Sequence, residues 1–269
     1  MTTFAGAITT KIFKELILML LQQTLDKLYQ MKLSGMVQGL KDQLEQPGAL
    51  SLSFEERLGL IVDREWNLKE NRKLNRRLTR ARLKQQAAFE DLDLKTPRGL
   101  DPALVLSLAE GQWIEASHNL ILTGPTGVGK TYLACALANK ACRLGYTTRY
   151  YRLSRLLQAL SLARADGSFP SLMKRLEKTR LLVIDDWGLS PLNLDDARDL
   201  FDLLEDRNAS GALLIISQLP LASWYEMISG PTLADAILDR LIHNAHKLEM
   251  KGESMRKKLN FLDSCRPAN

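Results

Sequence analysis

Two hydrophobic periods divide the chain. From about residue 20 to residue 90 the apolar positions recur at helical spacing, and no segment alternates as a strand does. In "LLQQTLDKLYQMKLSGMVQGLKDQL", Leu21, Leu25, Leu28 and Met31 form one stripe. Pro47 and Gly48 interrupt it, and "SLSFEERLGLIVDREWNLKENRKLNRRLTRARLKQQ" starts a second helical stretch. Ser53, with Glu56 three residues on, has the spacing of a capping box. Thr96-Pro97-Arg98-Gly99 reads as a linker. Beyond it, short apolar runs ("NLILTG", "TRYYRL", "RLLVIDD", "ALLIIS", "HKLEM") alternate with helical segments. That alternation predicts an α/β domain on a mainly parallel sheet.

The opening "MTTFAGAITTKIFKELILMLLQQ" has its longest apolar run at Leu16 to Leu21, directly after Lys14 and Glu15. It is too short for a signal-peptide core or a membrane span, so no membrane association is expected. Residues 1–18 read as a helix start or an extension ahead of Met19. Hydrophobic content of 45% and charged content of 25% fit a folded soluble chain, and the three cysteines, Cys135, Cys142 and Cys265, have no ligand spacing. They are expected to be reduced thiols in the cytoplasm.

Charge adds a candidate surface. The net charge is +6 and the pI about 9.2, which raises the prospect of an anionic partner. Between Asp63 and Lys84 nine Lys/Arg face three Asp/Glu, so 9 − 3 = +6, equal to the whole chain's balance. On a helix Lys69, Arg72, Lys73, Arg76, Arg77, Arg80 and Lys84 share one arc of roughly 140°. Leu74, Leu78 and Ala81 lie outside it, while Trp66 and Leu83 project into it and only Glu65 offsets it. The arc suits a nucleic-acid contact; a solvated face and an acidic protein partner are the other readings.

The candidate chemistry lies in the α/β part. "LILTGPTGVGKTYLACALANKA" contains GxxxxGK[ST], with the loop Gly124, Pro125, Thr126, Gly127, Val128, Gly129, Lys130 and Thr131. Glycines let the backbone N–H groups turn toward phosphate oxygens, and the following helix aims its positive end at them. Lys130 is expected to reach the β- and γ-phosphates of ATP and Thr131 to ligate Mg²⁺. In "RLLVIDDWG" a buried strand, Leu181 to Ile184, delivers Asp185 to the metal and Asp186 to the attacking water. Many ATPases of this class have Glu where Asp186 stands, one methylene longer. In "SGALLIISQLP", Ser217 and Gln218 end a further strand; Gln218 is a candidate water- or γ-phosphate-sensing residue, or a plain strand-end turn ahead of Pro220.

With "RYYRLSRLLQALSLARADGSF" and "PTLADAILDRLIHNAHKLEMKGESMRK" added, the chain from Leu20 to Lys258 resembles the AAA+ ATPases of the initiator and helicase-loader clade, and among them the IstB-type transposition helpers. The resemblance implies an AAA+ P-loop NTPase with parallel sheet order 5-1-4-3-2, preceded by a small all-α domain. It implies domains at 19–95 (helical, binding DNA or a partner) and 96–262 (ATPase), with a tail at 263–269. It further implies a homo-oligomer on duplex DNA that delivers target DNA to an IstA-type transposase, switched by ATP hydrolysis, without cutting or joining DNA itself. A DnaC-like helicase loader is the alternative, and a scaffold that binds ATP without useful hydrolysis is a third reading.

The same resemblance makes Arg240, near the end of "TLADAILDRL", the candidate arginine finger supplied to a neighbouring subunit; Arg207 is the runner-up, and pairing of Arg240 with Asp239 or Glu226 is the bland alternative. His243 and His246 lack a nearby acid or cysteine cluster, and His118 stands apart, which disfavours a metal site. Arg256 is either a second sensor or, with Lys251, Lys257 and Lys258, part of a DNA-facing patch.

Overall fold

The computed structural model describes residue 16 and residues 18–255. Arg256, Lys257, Lys258, Cys265 and the 263–269 tail, like the extension proper, lie outside the described residues.

The chain forms two compact units, Met1–Lys73 and Leu74–Asn269. The first is helical: α1 over residues 18–30, α2 (Ser34–Glu45) and the start of α3 (Phe54–Ala81). The expected capping box at the head of α3 is present, with Glu56 N–H donating to Ser53 Oγ (3.2 Å) and Ser53 N–H to Glu56 Oε2 (2.8 Å). The expected α1 stripe holds through Leu28 only. Leu25 is buried, but Met31 lies past the helix end, 66% exposed, where Lys32 takes a left-handed φ of 59°.

Glu65 holds α2 against α3. Its Oε2 accepts the N–H groups of Gly35 (2.6 Å) and Met36 (3.1 Å), two of the donors that a helix N-terminus leaves without partners. Leu33, at the N-cap, offers no side-chain acceptor. The approach needs a glycine: a Cβ on Gly35 would stand 2.7 Å from Glu65 Cα. Glu65 is therefore not a surface acid that merely tempers the basic arc.

The second unit is a five-stranded sheet with helices on both faces. Its strands are β1 (Asn119–Thr123), β2 (Thr148–Arg152), β3 (Leu181–Trp187), β4 (Ala212–Ser217) and β5 (Ala245–Glu249). All pairings are parallel, in the order β2-β3-β4-β1-β5, the expected order read from the other edge. Central strands buried on both faces read as unbroken apolar runs because alternate residues serve opposite layers. Leu120, Leu122, Val183, Leu214 and Ile216 join the layer of α4 (Pro102–Ala109), α5 (Gln112–Glu115) and α6 (Lys130–Arg143). Ile121, Leu182, Ile184, Leu213 and Ile215 join that of α7 (Leu153–Asp166), α8 (Phe169–Glu177), α9 (Leu194–Arg207) and α10 (Pro231–Ile242). Alanines at 134, 138 and 141 let α6 lie close to the sheet.

Residues 74–95 pack in this unit, with Ala81 and Ala87 buried. The segment read as a linker is also packed. Arg98 is buried and donates to the carbonyls of Val128 (3.3 Å) and Asp93, and Gly99, at φ 72°, leaves no room for a Cβ beside the Glu249 carbonyl. Among the described residues no helix is long and apolar enough to cross a membrane.

Glu65→Ala leaves two N–H groups of α2 without an acceptor and is expected to destabilise the helical unit by about 1–3 kcal/mol in chemical denaturation. Burial alone would raise the Glu65 pKa, but the N–H groups of Met36 and Gly35, with Lys69, outweigh it and hold the carboxyl below the ordinary glutamate value. This contribution is present above the unfolded-state pKa and is lost as pH falls through the folded one. Glu65→Gln should accordingly flatten the acid limb of stability against pH; an acid limb identical to wild type would rule the cap out.

Candidate active site

Strand β1 ends at Thr123, and the chain turns through the glycine loop into α6. Gly124 has φ 138°, and a Cβ there would meet the Met250 carbonyl at 2.1 Å. Gly129, at φ 105°, forms the N-cap of α6 without any side chain, so the N–H groups of its first turn stay open to an incoming anion. Val128 anchors the loop from beneath, fully buried. Lys130 folds back over the loop, donating to the carbonyls of Gly124 (2.6 Å) and Pro125 (2.8 Å). Burial pulls its ammonium below the usual lysine range, with Asp185 and Asp186 opposing that shift.

Asp185 lies at the end of β3, 2% exposed. Its Oδ2 accepts Thr131 Oγ1 (3.2 Å), Lys84 Nζ (3.1 Å) and the Tyr150 hydroxyl, and its Oδ1 accepts the N–H of Asp186 (2.8 Å). Burial, and then the Asp185 carboxylate, push the Tyr150 phenol far up, so it stays a donor. At Asp186 the strand bulges and φ becomes +62°, and this carboxylate lies 3.6 Å from Arg152 Nε. Two adjacent acids thereby receive separate environments.

Gln218 projects from the end of β4, and its Oε1 accepts Thr126 Oγ1 (2.6 Å). Ser217 beside it is a strand-end latch, bonded to the Trp187 carbonyl (2.8 Å) and the Leu219 N–H (3.0 Å). Lys130, Thr131, Asp185, Asp186 and Gln218 all line one cavity of about 450 Å³.

The arginine candidates separate. Arg207 is 2% exposed and donates to the carbonyls of Leu176, Thr179 (2.8 Å) and Ala212 (2.9 Å); burial, with Arg180 nearby, pushes its pKa down to about 10. It is an interior tie and cannot reach a neighbouring subunit. Arg240 lies at the outer end of α10, paired with Glu205 (2.6 Å) and Asp239 (3.0 Å), and does not line the cavity. The Asn119 amide donates to the carbonyls of Arg240 and Leu241 (3.1 Å each) and so fixes that helix end.

The expected basic arc is shortened. Helix α3 stops at Ala81, and Arg82 takes φ 51°. Lys84 leaves the arc for the cavity, and Arg77 donates to the Cys142 carbonyl (2.8 Å). Lys69 pairs with Glu65, Lys73 with Glu70, and Arg72 donates to Ser34 Oγ, while Arg76 and Arg80 are exposed. His246 packs its ring 5.9 Å from that of His118, and His243 follows α10. Among the described residues no three His, Cys, Asp or Glu side chains group as a metal cage. Lys84, Tyr150 and Asn119 carry no motif that would single them out in the sequence.

The sequence pattern of the family described as "IstB-like ATP binding protein" matches residues 26–262. The chain is 48% identical over 239 residues to "Putative insertion sequence ATP-binding protein y4pL" of Sinorhizobium fredii, a match covering 89% of this chain and 98% of that protein. It is 46% identical to "Insertion sequence IS1162 putative ATP-binding protein" of Pseudomonas fluorescens, covering 75% and 88%. The fold is similar to the solved structure titled "Crystal Structure of the DnaI", with a TM-score of 0.53 at 20% identity over 62% of this chain and 92% of that one.

Replacing Arg207 by Met strands three buried carbonyls and is expected to lower stability by about 3 kcal/mol or more. Arg240→Ala, at the surface, should leave the denaturation midpoint unchanged. Equal midpoints for the two variants would show that Arg207 is not an interior tie.

Proposed function

The chain belongs to the family of IstB-like ATP-binding proteins, and from that premise we propose that it is an ATP-hydrolysing helper of transposition. It assembles as a homo-oligomer on double-stranded DNA in the cytoplasm and presents target DNA to an IstA-type transposase. The observation that carries the reading is the convergence of Lys130, Thr131, Asp185, Asp186 and Gln218 on one cavity behind an open helix N-terminus.

The residues fit a magnesium nucleotide. Two hard oxygens, Thr131 Oγ1 and Asp185 Oδ2, stand 3.2 Å apart, a donor pair of the kind Mg²⁺ takes beside phosphate oxygens. When bound, the metal would supply positive charge to offset that of the phosphates, held by Thr131 and Asp185. The loop from Gly124 to Gly129 cradles the phosphates with backbone N–H groups, and Lys130 exchanges its two carbonyl partners for phosphate oxygens. Asp186 accepts hydrogen bonding from the attacking water, and Gln218 orients it from the opposite strand. Arg240 does not line its own chain's cavity, which supports action on a neighbouring subunit's nucleotide. The exposed cations of α3, chiefly Arg72, Arg76 and Arg80, supply the DNA contact. Helicase loading is the second reading. It draws on the likeness in fold to the structure titled "Crystal structure of the DnaC helicase loader" (TM-score 0.50, 16% identity), whereas the family match and the insertion-sequence relatives favour transposition.

Lys130→Ala should abolish ATP binding and, with it, DNA-dependent assembly seen by sedimentation; assembly that persists removes the nucleotide switch. Arg240→Ala should bind ATP normally and hydrolyse it poorly, and mixing it with Lys130→Ala subunits should restore part of the turnover. Absence of complementation in verified mixed oligomers argues against action in trans. Neutralising Arg72, Arg76 and Arg80 together should lower the salt-dependence slope of DNA binding by up to about three units. An unchanged slope assigns that face to solvent.

A further inference from the structure

Lys84 belongs to no motif, yet its ammonium is the cation in contact with the buried Asp185 carboxylate. The motif lysine, Lys130, is turned onto loop carbonyls. Lys84 Nζ stands 3.1 Å from Asp185 Oδ2, the same oxygen that accepts Thr131 Oγ1. These two oxygens are the pair assigned above to Mg²⁺. A metal held at about 2.0–2.1 Å from that oxygen would stand close to the Lys84 ammonium, and the two positive charges repel.

The backbone around Lys84 is pinned while its side chain is free to swing. Ala81 and Ala87 bracket it in the core. The Lys84 side chain is 29% exposed at the cavity wall, so an outward path exists that does not unfold its anchors.

We propose that Lys84 is a tethered counter-cation that occupies the metal position when no metal is bound, and that Mg²⁺ must displace it to enter. Lys84 thereby lowers the site's affinity for the metal and protects the buried carboxylate in its absence. The proposal rests on the magnesium-nucleotide reading of the cavity.

Its test is lysine footprinting of the wild-type protein by mass spectrometry, with a non-hydrolysable ATP analogue at saturation, in Mg²⁺ or in EDTA. The amine of Lys84 should react several-fold faster in Mg²⁺ than in EDTA. Equal reactivity, or slower reaction in Mg²⁺, overturns the proposal; the latter would assign Lys84 to the phosphates. Thermal melts of Lys84→Met give a second measure. Without metal the variant should melt about 2–4 °C below wild type and regain that loss in millimolar Mg²⁺ alone, which should not move the wild type. Lys84→Arg, which keeps the charge, should behave as wild type. A variant as stable as wild type in EDTA, or one that Mg²⁺ does not restore, sinks the idea. A wild type stabilised by the Mg²⁺ analogue with Lys84 unmoved defeats this proposal alone, whereas one not stabilised at all defeats the nucleotide reading with it.

Discussion

Asp185 puts a carboxylate, 2% exposed, at the end of a strand whose preceding residues are all apolar. A charge removed from water in this way is costly by several kcal/mol unless donors replace the lost hydration. The surrounding unit supplies them from four directions: Thr131 at the start of α6, Tyr150 on β2, Lys84 after α3, and the N–H of Asp186. Those contacts require β2 and β3 to be neighbours, the glycine loop to turn back above β1, and the segment after α3 to lie along α6. Removing any one donor leaves the charge to the others. The carboxylate therefore specifies the arrangement of four chain segments while holding a charge ready for a ligand.

Parallel topology explains why these groups meet. With β1, β3 and β4 adjacent and pointing the same way, the glycine loop, the Asp185–Asp186 pair and Gln218 emerge at one edge of the sheet. Open α/β sheets bind ligands at the carboxyl ends of their strands because backbone donors and helix N-termini gather there. The bulge at Asp186 adds a local refinement. A straight strand would send successive side chains to opposite faces, whereas the left-handed residue lets Asp185 and Asp186 line the same cavity, with Asp186 beside Arg152.

Most of this was legible in the sequence where the signal is local. The five apolar runs became the five strands, the GxxxxGK[ST] spacing became the loop, and Ser53 and Glu56 formed their reciprocal cap. What was not legible depends on contacts between residues far apart in sequence. Glu65 looks like one acid in a basic helix, but its carboxylate caps another helix thirty residues earlier. Lys84 sits in phase with the cations before it, yet the helix ends at Ala81 and the phase no longer applies. Arg207 and Arg240 each close a helix ahead of a strand, and only burial separates an interior tie from a surface cation. The residues from Thr96 to Gly99 have linker composition but pack against the glycine loop and β5, because Gly99 permits an approach that composition does not reveal.

The charges at the cavity and at the end of α10 have internal partners: Lys84 with Asp185, Arg152 with Asp186, and Arg240 with Glu205 and Asp239. These pairings differ in what it takes to break them. The Arg240 pairs are solvent-exposed on both sides, where water and salt screen the attraction and replace either partner readily. Lys84 and Asp185 meet where one partner is buried, so separating them without a substitute would leave a charge in a low-dielectric site. A divalent cation is a substitute of the right sign and greater charge; a water molecule is not. The buried pair therefore sets a chemical requirement for rearrangement at the cavity, whereas the Arg240 pairs can be exchanged for water and salt alone.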